Sequence, residues 1–456
     1  MTRIVVVGGD AAGATTAAQV KRRQPDWDVV MVDRGRYTSY SACGLPYWVA
    51  GDVESDARLI ARTPEQHRAH GLDVRMGTEA VGLNLAAQTV ALSSVEDGDY
   101  DLGFDHLMIA TGASPVTPPI PGVDAPNVGV VHTIDGTRAL LQRTTALADG
   151  DPPKSAVIVG AGFIGIEMAE AFEQRGLAVT LIDMAEAPLT SLDPELSAEL
   201  AKCLSAREVE CAFGQPVQAI EVGTDGLACA VTTDADSYPA DIVVLALGVR
   251  PNTSLATAAG LPAGAAGGLL TDRAQHVTGH GNIWAAGDCT EAFHRLLRRP
   301  VFLPLGTHAN KQGRVAGVNI AGGYATFPGV IGTATTRFGE TYVARTGLNE
   351  DEAASAGLRV ESATTTTAVT TGYMPGAVAM MVKLLADAAS GQLLGGQILG
   401  ASPLAAKRID SVALAVWNAM TAEDLLGADL SYSPPVSPVW DPVQTAARVL
   451  ASRLER

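Results

Sequence analysis

Three features of this chain are built to do chemistry, and two of them are glycine turns. Gly160, Gly162 and Gly165 follow the apolar run Ala156-Val-Ile-Val159, and Asp183 stands 23 residues beyond Gly160. Gly8 and Gly13 follow Ile4-Val-Val-Val7, with Asp10 at the middle position and Asp33 25 residues beyond Gly8. Unpaired N–H groups and the dipole at a helix N-terminus both favour a phosphate. Glycines permit the tight turn and close approach, and an acid after the next strand accepts ribose hydroxyls. Both stretches therefore read as dinucleotide sites, the first less regular than the second. The third feature is Cys43, in Ser39-Tyr-Ser-Ala-Cys-Gly-Leu-Pro-Tyr47, a few residues after Asp33. A lone cysteine is commonly a small buried hydrophobe. One that opens a helix beside a redox cofactor is instead a stabilised, nucleophilic thiolate.

These residues need rigid elements beneath them. The first turn is expected to start a helix reaching about Arg23, stopped by Pro25, and a strand from Asp28 to Val32 follows. The second starts a helix to about Gln174, with a strand from Ala178 to Ile182. Apolar strands alternating with amphipathic helices predict a parallel sheet in each place. Ser114 to Gly122 (SPVTPPIPG) separates the two units, and Asp151-Pro-Pro is a second break. From about Thr326 short alternating runs such as Tyr342-Val-Ala-Arg and Val378-Ala-Met-Met-Val predict an antiparallel sheet, with a helix from roughly Pro403 to Met420.

Composition narrows the partners. With 32 Lys and Arg against 49 Asp and Glu the net charge is −17, and aromatics are 5%, so a nucleic-acid surface is not expected. No apolar run is long enough to span a membrane and no secretory leader is evident. The five cysteines (Cys43, Cys203, Cys211, Cys229, Cys289) are scattered without a C-x-x-C pair. Reduced thiols, a cytoplasmic location and no metal site are expected. Cys289, beside Asp288, reads as packing.

Further segments complete an order. His106-Leu-Met-Ile-Ala-Thr111-Gly112 is a strand running into Ala-Thr-Gly, Asp241 to Asn252 reads DIVVLALGVRPN, and Asn282 to Asp288 reads NIWAAGD. Together with the two fingerprints they resemble the pyridine nucleotide–disulfide oxidoreductases over essentially the whole chain. The resemblance implies an α/β fold with two Rossmann-like domains and a C-terminal α+β dimerisation domain. The expected limits are 1–115 with 250–325 for FAD, 116–249 for the nicotinamide cofactor and 326–456 for dimerisation. Contacts to FAD are implied at Gly8, Gly13, Asp33, Thr111, Gly112, Gly287, Asp288 and Ala309, the last in a helix begun by Thr307 to Arg314. Gly160, Gly162, Gly165 and Asp183 would hold NADH. The 2′-phosphate of NADPH would meet like charge at Asp183, with only Met184 and Ala185 following it, so NADH is the expected donor.

Glutathione-reductase-like relatives carry two cysteines four residues apart, whereas Cys43 has no such partner. The segment resembles the single-cysteine branch: coenzyme A–disulfide reductases, persulfide reductases, NADH oxidases and NADH peroxidases. The peroxidases' histidine is matched here by Ala11. Thr15, Gln19 and Arg22 share one helix face. With Ser39, Arg75 and His308 they match positions that contact coenzyme A in the family. Ala42 replaces the usual Asn, Trp440 stands where a Lys can occur, and Met374 replaces a second Tyr. Tyr432, in Tyr-Ser-Pro-Pro435, matches the tyrosine that reaches the partner subunit's active site, which implies a homodimer. The resemblance thus implies NADH-driven reduction of a small disulfide or persulfide through Cys43, with coenzyme A disulfide favoured. An NADH oxidase using a Cys43 sulfenic acid, and a redox-sensing flavoprotein without turnover, remain the alternatives.

Overall fold

The computed structural model describes residues 1–143 and 152–455, so Asp151 of the second proline break lies outside the described residues. Two parallel sheets and one antiparallel sheet, each of five strands, organise the chain. The first sheet runs Ile283–Ala285, His106–Ile109, Arg3–Val7, Asp28–Asp33 and Asp73–Met76. Ile4, Val5 and Val6 are wholly buried. Cover on both faces is why this strand is a continuous apolar run and does not alternate. The edge strand Ile283–Ala285, which pairs with His106–Ile109, is supplied by chain that comes after the second sheet.

The second sheet repeats the plan in the order Glu210–Phe213, Ala178–Asp183, Ser155–Val159, Ile242–Leu245 and Val128–Gly129, all parallel. Between the two sheets, Ala113–Pro115 and Val249–Pro251 form a short antiparallel pair. The glycine helices span Ala11–Arg23 and Phe163–Gln174, with the ends expected from Pro25 and Gln174.

The C-terminal sheet is antiparallel, ordered Ala334–Phe338, Thr341–Gly347, Leu393–Gly400, Ala379–Asp387 and Val360–Ala368. The single helix expected from Pro403 to Met420 is instead two, Pro403–Lys407 and Ile409–Trp417. Arg408 sits at the joint, where its guanidinium holds Asp441 and the carbonyls of Leu404, Val369 and Val436. Its ties to distant segments hold the joint. Among the described residues no helix is long and apolar enough to cross a membrane.

The C-terminal sheet is bolted to the second unit. Lys383 is 2% exposed and its Nζ lies 2.9 Å from Asp193, 2.7 Å from Glu195 and 2.9 Å from Glu350. Gln397 both accepts from the Asp193 N–H and donates to its carboxylate. Phe338, Val343 and Leu399 continue the apolar core of the second sheet. A buried ammonium is tolerated only when paired and fully hydrogen-bonded, and three carboxylates do that here.

Candidate functional site

The second glycine turn shows why each residue type is needed. Gly160 has φ +107°, in the left-handed region, and a Cβ there would lie 2.4 Å from the Ala246 carbonyl oxygen. A Cβ on Gly165 would lie 1.9 Å from the Gly160 oxygen, so helix and strand could not close. Gly162 is different: a Cβ there meets nothing within 4 Å. Its smallness leaves open space at the helix N-terminus, where a pyrophosphate can approach. Asp183 accepts from Ala161 N at 2.6 Å and Ala185 N at 2.8 Å, which fixes the acid against the turn. Met184 is 77% exposed beside it.

The first turn keeps this skeleton. Gly8 has φ +105°, and a Cβ on Gly13 would stand 1.8 Å from the Gly8 oxygen. Asp33 accepts from Gly9 N and Gly35 N, each at 2.7 Å. Asp10 stands just before the helix, where its carboxylate makes no capping bond and accepts instead from Tyr40 N at 3.2 Å. Burial, then the negative charges of Asp33 and Asp288, push its carboxyl up to about 7. Thr38 donates to the Gly9 carbonyl and Ser39 N does so at 3.3 Å, so the turn and the cysteine segment are joined three times.

Two further turns converge here. Thr111 donates to the Asn252 carbonyl at 2.5 Å, and Asn252 returns bonds to the carbonyls of Thr111 and Gly112. The Ala-Thr-Gly and Val-Arg-Pro-Asn segments thus brace each other. Gly287 N donates to the buried Gln312 side chain at 2.7 Å. Asp288 stays half-buried with no hydrogen bond to its carboxylate among the described residues, and burial lifts it to about 6. Such an orphaned acid fits a ligand hydroxyl. The helix Gly306–Ile320 packs against Ala11–Arg23 through Gly313, with Thr16 donating to the Gly313 carbonyl and Ala309 buried. Open space at Gly162, a helix N-terminus in each unit and the unpartnered Asp288 together fit two dinucleotides, one of them a flavin.

Cys43 lies in a short 3-10 turn, Ala42–Gly44, that runs into the helix Leu45–Ala50. Cys43 is exposed as a residue while its sulfur is partly covered, and Cys289 is buried against the carbonyls of Ile109 and Ala286. The low thiol pKa expected from a helix start is not what the protein alone produces. Burial first, then the charges of Glu167 and Asp288, raise Cys43 above its ordinary value. Glu167 is the residue that sequence reading missed. It projects from the second glycine helix, accepts from Thr336 at 3.0 Å, and burial raises it to about 7. Tyr47 faces the same acid and carries Arg337 5.3 Å over its ring, while Arg337 pairs with Asp52 and Glu170. An acid two residues past Gly165 was visible in the sequence, but its neighbour across the fold was not.

The six matched substrate positions are distributed more loosely. Thr15 bonds Asn310 at 3.0 Å, which sets the first glycine helix beside the His308 turn, and His308 bonds the Leu303 carbonyl. Gln19 and Arg22 lie together at 3.2 Å, with Arg22 exposed. Ser39 bonds His67 at 2.9 Å. Arg75 is on the edge strand, already held by Asp73 at 2.6 Å and the Tyr100 hydroxyl at 3.0 Å, so its charge is largely spent. Tyr432 is 50% exposed in a surface with Tyr373, Val436, Val439 and Trp440. Burial and the neighbouring Tyr373 raise its phenol. Among the described residues no bond links it to Cys43 of the same chain.

Comparison with known proteins agrees with this geometry. Residues 2–315 match the pyridine nucleotide-disulphide oxidoreductase model, and residues 333–442 match the dimerisation domain of that family. A CoA-dependent NAD(P)H sulfur oxidoreductase of Pyrococcus abyssi is 36% identical over 449 residues, 98% of each chain. An NADH oxidase of Methanocaldococcus jannaschii is 32% identical over 454 residues, 99% of each. The structure of an NAD-dependent persulfide reductase from A. fulgidus superposes with TM-score 0.95 at 34% identity, over 100% of this chain and 84% of that one. With both domain models matched and full-length relatives above 30% identity, this chain is a member of the pyridine nucleotide-disulphide oxidoreductase family.

Proposed function

We propose that the protein is an FAD-dependent enzyme that uses NADH to reduce a small disulfide or persulfide, coenzyme A disulfide first among them. One observation carries the reading: an exposed single cysteine lies between the two glycine turns, tied to one and facing an acid from the other. The CoA-dependent relative supports the substrate class. The proposed domain limits are 1–115 with 250–325, 116–249 and 326–456, in a cytoplasmic homodimer.

Bound FAD would supply two-electron transfer between NADH and sulfur, held by Gly8, Gly13, Asp33, Thr111, Gly112, Gly287, Asp288 and Ala309. Gly160, Gly162, Gly165 and Asp183 seat NADH, and the carboxylate of Asp183, followed in sequence by Met184 and Ala185, disfavours NADPH. Cys43 as thiolate attacks one sulfur of the substrate disulfide; a Cys43–substrate disulfide forms and one thiolate departs. Two electrons and a proton arriving at Cys43 then split that bond, freeing the second thiol and restoring the thiolate. Glu167 can hold the proton in question, because its carboxyl titrates at about 7. Thr15, Gln19, Arg22, Ser39, Arg75 and His308 line the approach for the substrate.

The test is intact mass with and without reductant. A reducible adduct of coenzyme A size on Cys43, lost in Cys43→Ser along with disulfide reduction but not flavin colour, is the expected result. Full activity in Cys43→Ser, or an equal specificity constant with NADPH, would refute the corresponding part. Oxygen as acceptor is the second reading, favoured by the NADH oxidase relative. NADH consumption in air that needs no disulfide would establish it. Tyr432 serves the partner's Cys43 in this proposal. Mixing Tyr432→Phe with Cys43→Ser chains should then recover part of the activity, since each mixed dimer has one intact site. No recovery would place Tyr432 outside the shared site.

A further inference from the structure

Away from the cofactor turns, a cavity of about 410 Å³ is lined by Arg273, Phe293, Arg295, Arg298 and Pro328. It lies where the hairpin Thr290–His294 and Arg299–Val301 meets the C-terminal helices. Three guanidiniums face one space, yet none has a carboxylate within ion-pair distance among the described residues. Other arginines among the described residues, Arg22 among them, also lack a carboxylate partner; these three are set apart by lining one space. The nearest acid in sequence, Asp272, is turned away and bonds Ala274 N, His276 N and His276 Nδ1. Glu291 is likewise engaged, accepting from Ala266 N.

Two of the arginines are also held in place. Arg295 stacks 4.0 Å over the Trp417 ring and donates to the Trp417 carbonyl at 3.0 Å. Arg273 stacks 4.8 Å over Phe293. Arg298 occupies the hairpin turn with φ +52°, a left-handed conformation that a non-glycine residue adopts at some cost. Stacking fixes guanidinium planes without neutralising them, and planar forks so fixed match phosphate oxygens. The volume falls within the range of small-molecule sites.

We propose that this cavity is a second anion site that binds an oligophosphate, either free pyrophosphate or the diphosphate of a nucleotide. The anion bridges the hairpin to the Trp417 helix and supplies the missing counter-charge. The test is calorimetric titration of the FAD-loaded protein with sodium pyrophosphate, keeping NAD⁺ saturating so that the Gly160 turn is filled. Saturable binding is expected, weakened at least tenfold in the Arg273→Ala, Arg298→Ala double variant and by less than twofold in Arg359→Ala, an exposed arginine elsewhere. Both altered arginines are exposed, and unchanged circular dichroism would certify the fold. ADP binding more tightly than pyrophosphate under the same conditions supports the nucleotide source; equal or weaker binding supports the inorganic one. Absence of saturable binding, equal affinity in the double variant, or loss confined to Arg359→Ala would each overturn the proposal.

Discussion

The two glycine turns share one backbone plan and differ in what occupies two positions. Gly8 and Gly160 take φ values of +105° and +107°, and both acids clasp the second residue of their turn. At the middle position, Gly162 leaves space open while Asp10 fills it and grips Tyr40. Two residues past the last glycine, Thr15 binds a neighbouring helix while Glu167 confronts the cysteine. Glycines forced by protein packing recur in both turns. The position that packing leaves free is the one that diverges, and in the first turn it anchors the segment leading to Cys43.

The hardest test of the shared plan is to add a methyl group where both turns forbid it. Gly13→Ala and Gly165→Ala should each cost about 1–3 kcal/mol through overpacking, with loss of flavin in the first and of NADH-driven reduction in the second. Thermal melts and flavin content measure this, and clearly unequal melting losses would break the equivalence.

Asp10 comes next. Its folded pKa of about 7 stands above its ordinary 3.8, so its penalty is absent at low pH. Stability is lost as pH rises from about 4 through 7 and is level beyond that. Flavin-stripped wild type should therefore fall relative to Asp10→Asn by on the order of 3 kcal/mol across that window, as read by urea melts. Parallel curves for the two proteins would mean that Asp10 is as free as Gly162's surroundings.

The smallest effect concerns Glu167. Replacing it by Gln removes one of the charges that raise the Cys43 thiol, though burial, the larger cause, stays. The pH profile of Cys43 alkylation should move to lower pH. Thr15→Val, at the equivalent place, should leave the profile unmoved. A shift from Thr15→Val and none from Glu167→Gln would reverse the contrast.

What could be read in the sequence was local. Apolar run, glycine turn and helix occur within about 20 residues, so both glycine helices and their strands are found within a residue or two of expectation. The C-terminal helix broke at Arg408 because its partners, Val369, Val436 and Asp441, are distant in the chain. Glu167 was legible as a residue but not as a neighbour of Cys43, since that proximity is made by packing the helix Leu45–Ala50 against the second glycine helix. Lys383 was hidden for the same reason: nothing near it in sequence announces that three acids will converge on a buried ammonium.

That ammonium also sets how the molecule comes apart. Separating the C-terminal sheet from the second sheet strands Lys383 and Asp193, each 2% exposed, before water can reach them. Partial opening along this seam is therefore costly. Amides of Ser155–Val159 and Ala379–Asp387 should accordingly exchange with solvent through a common opening.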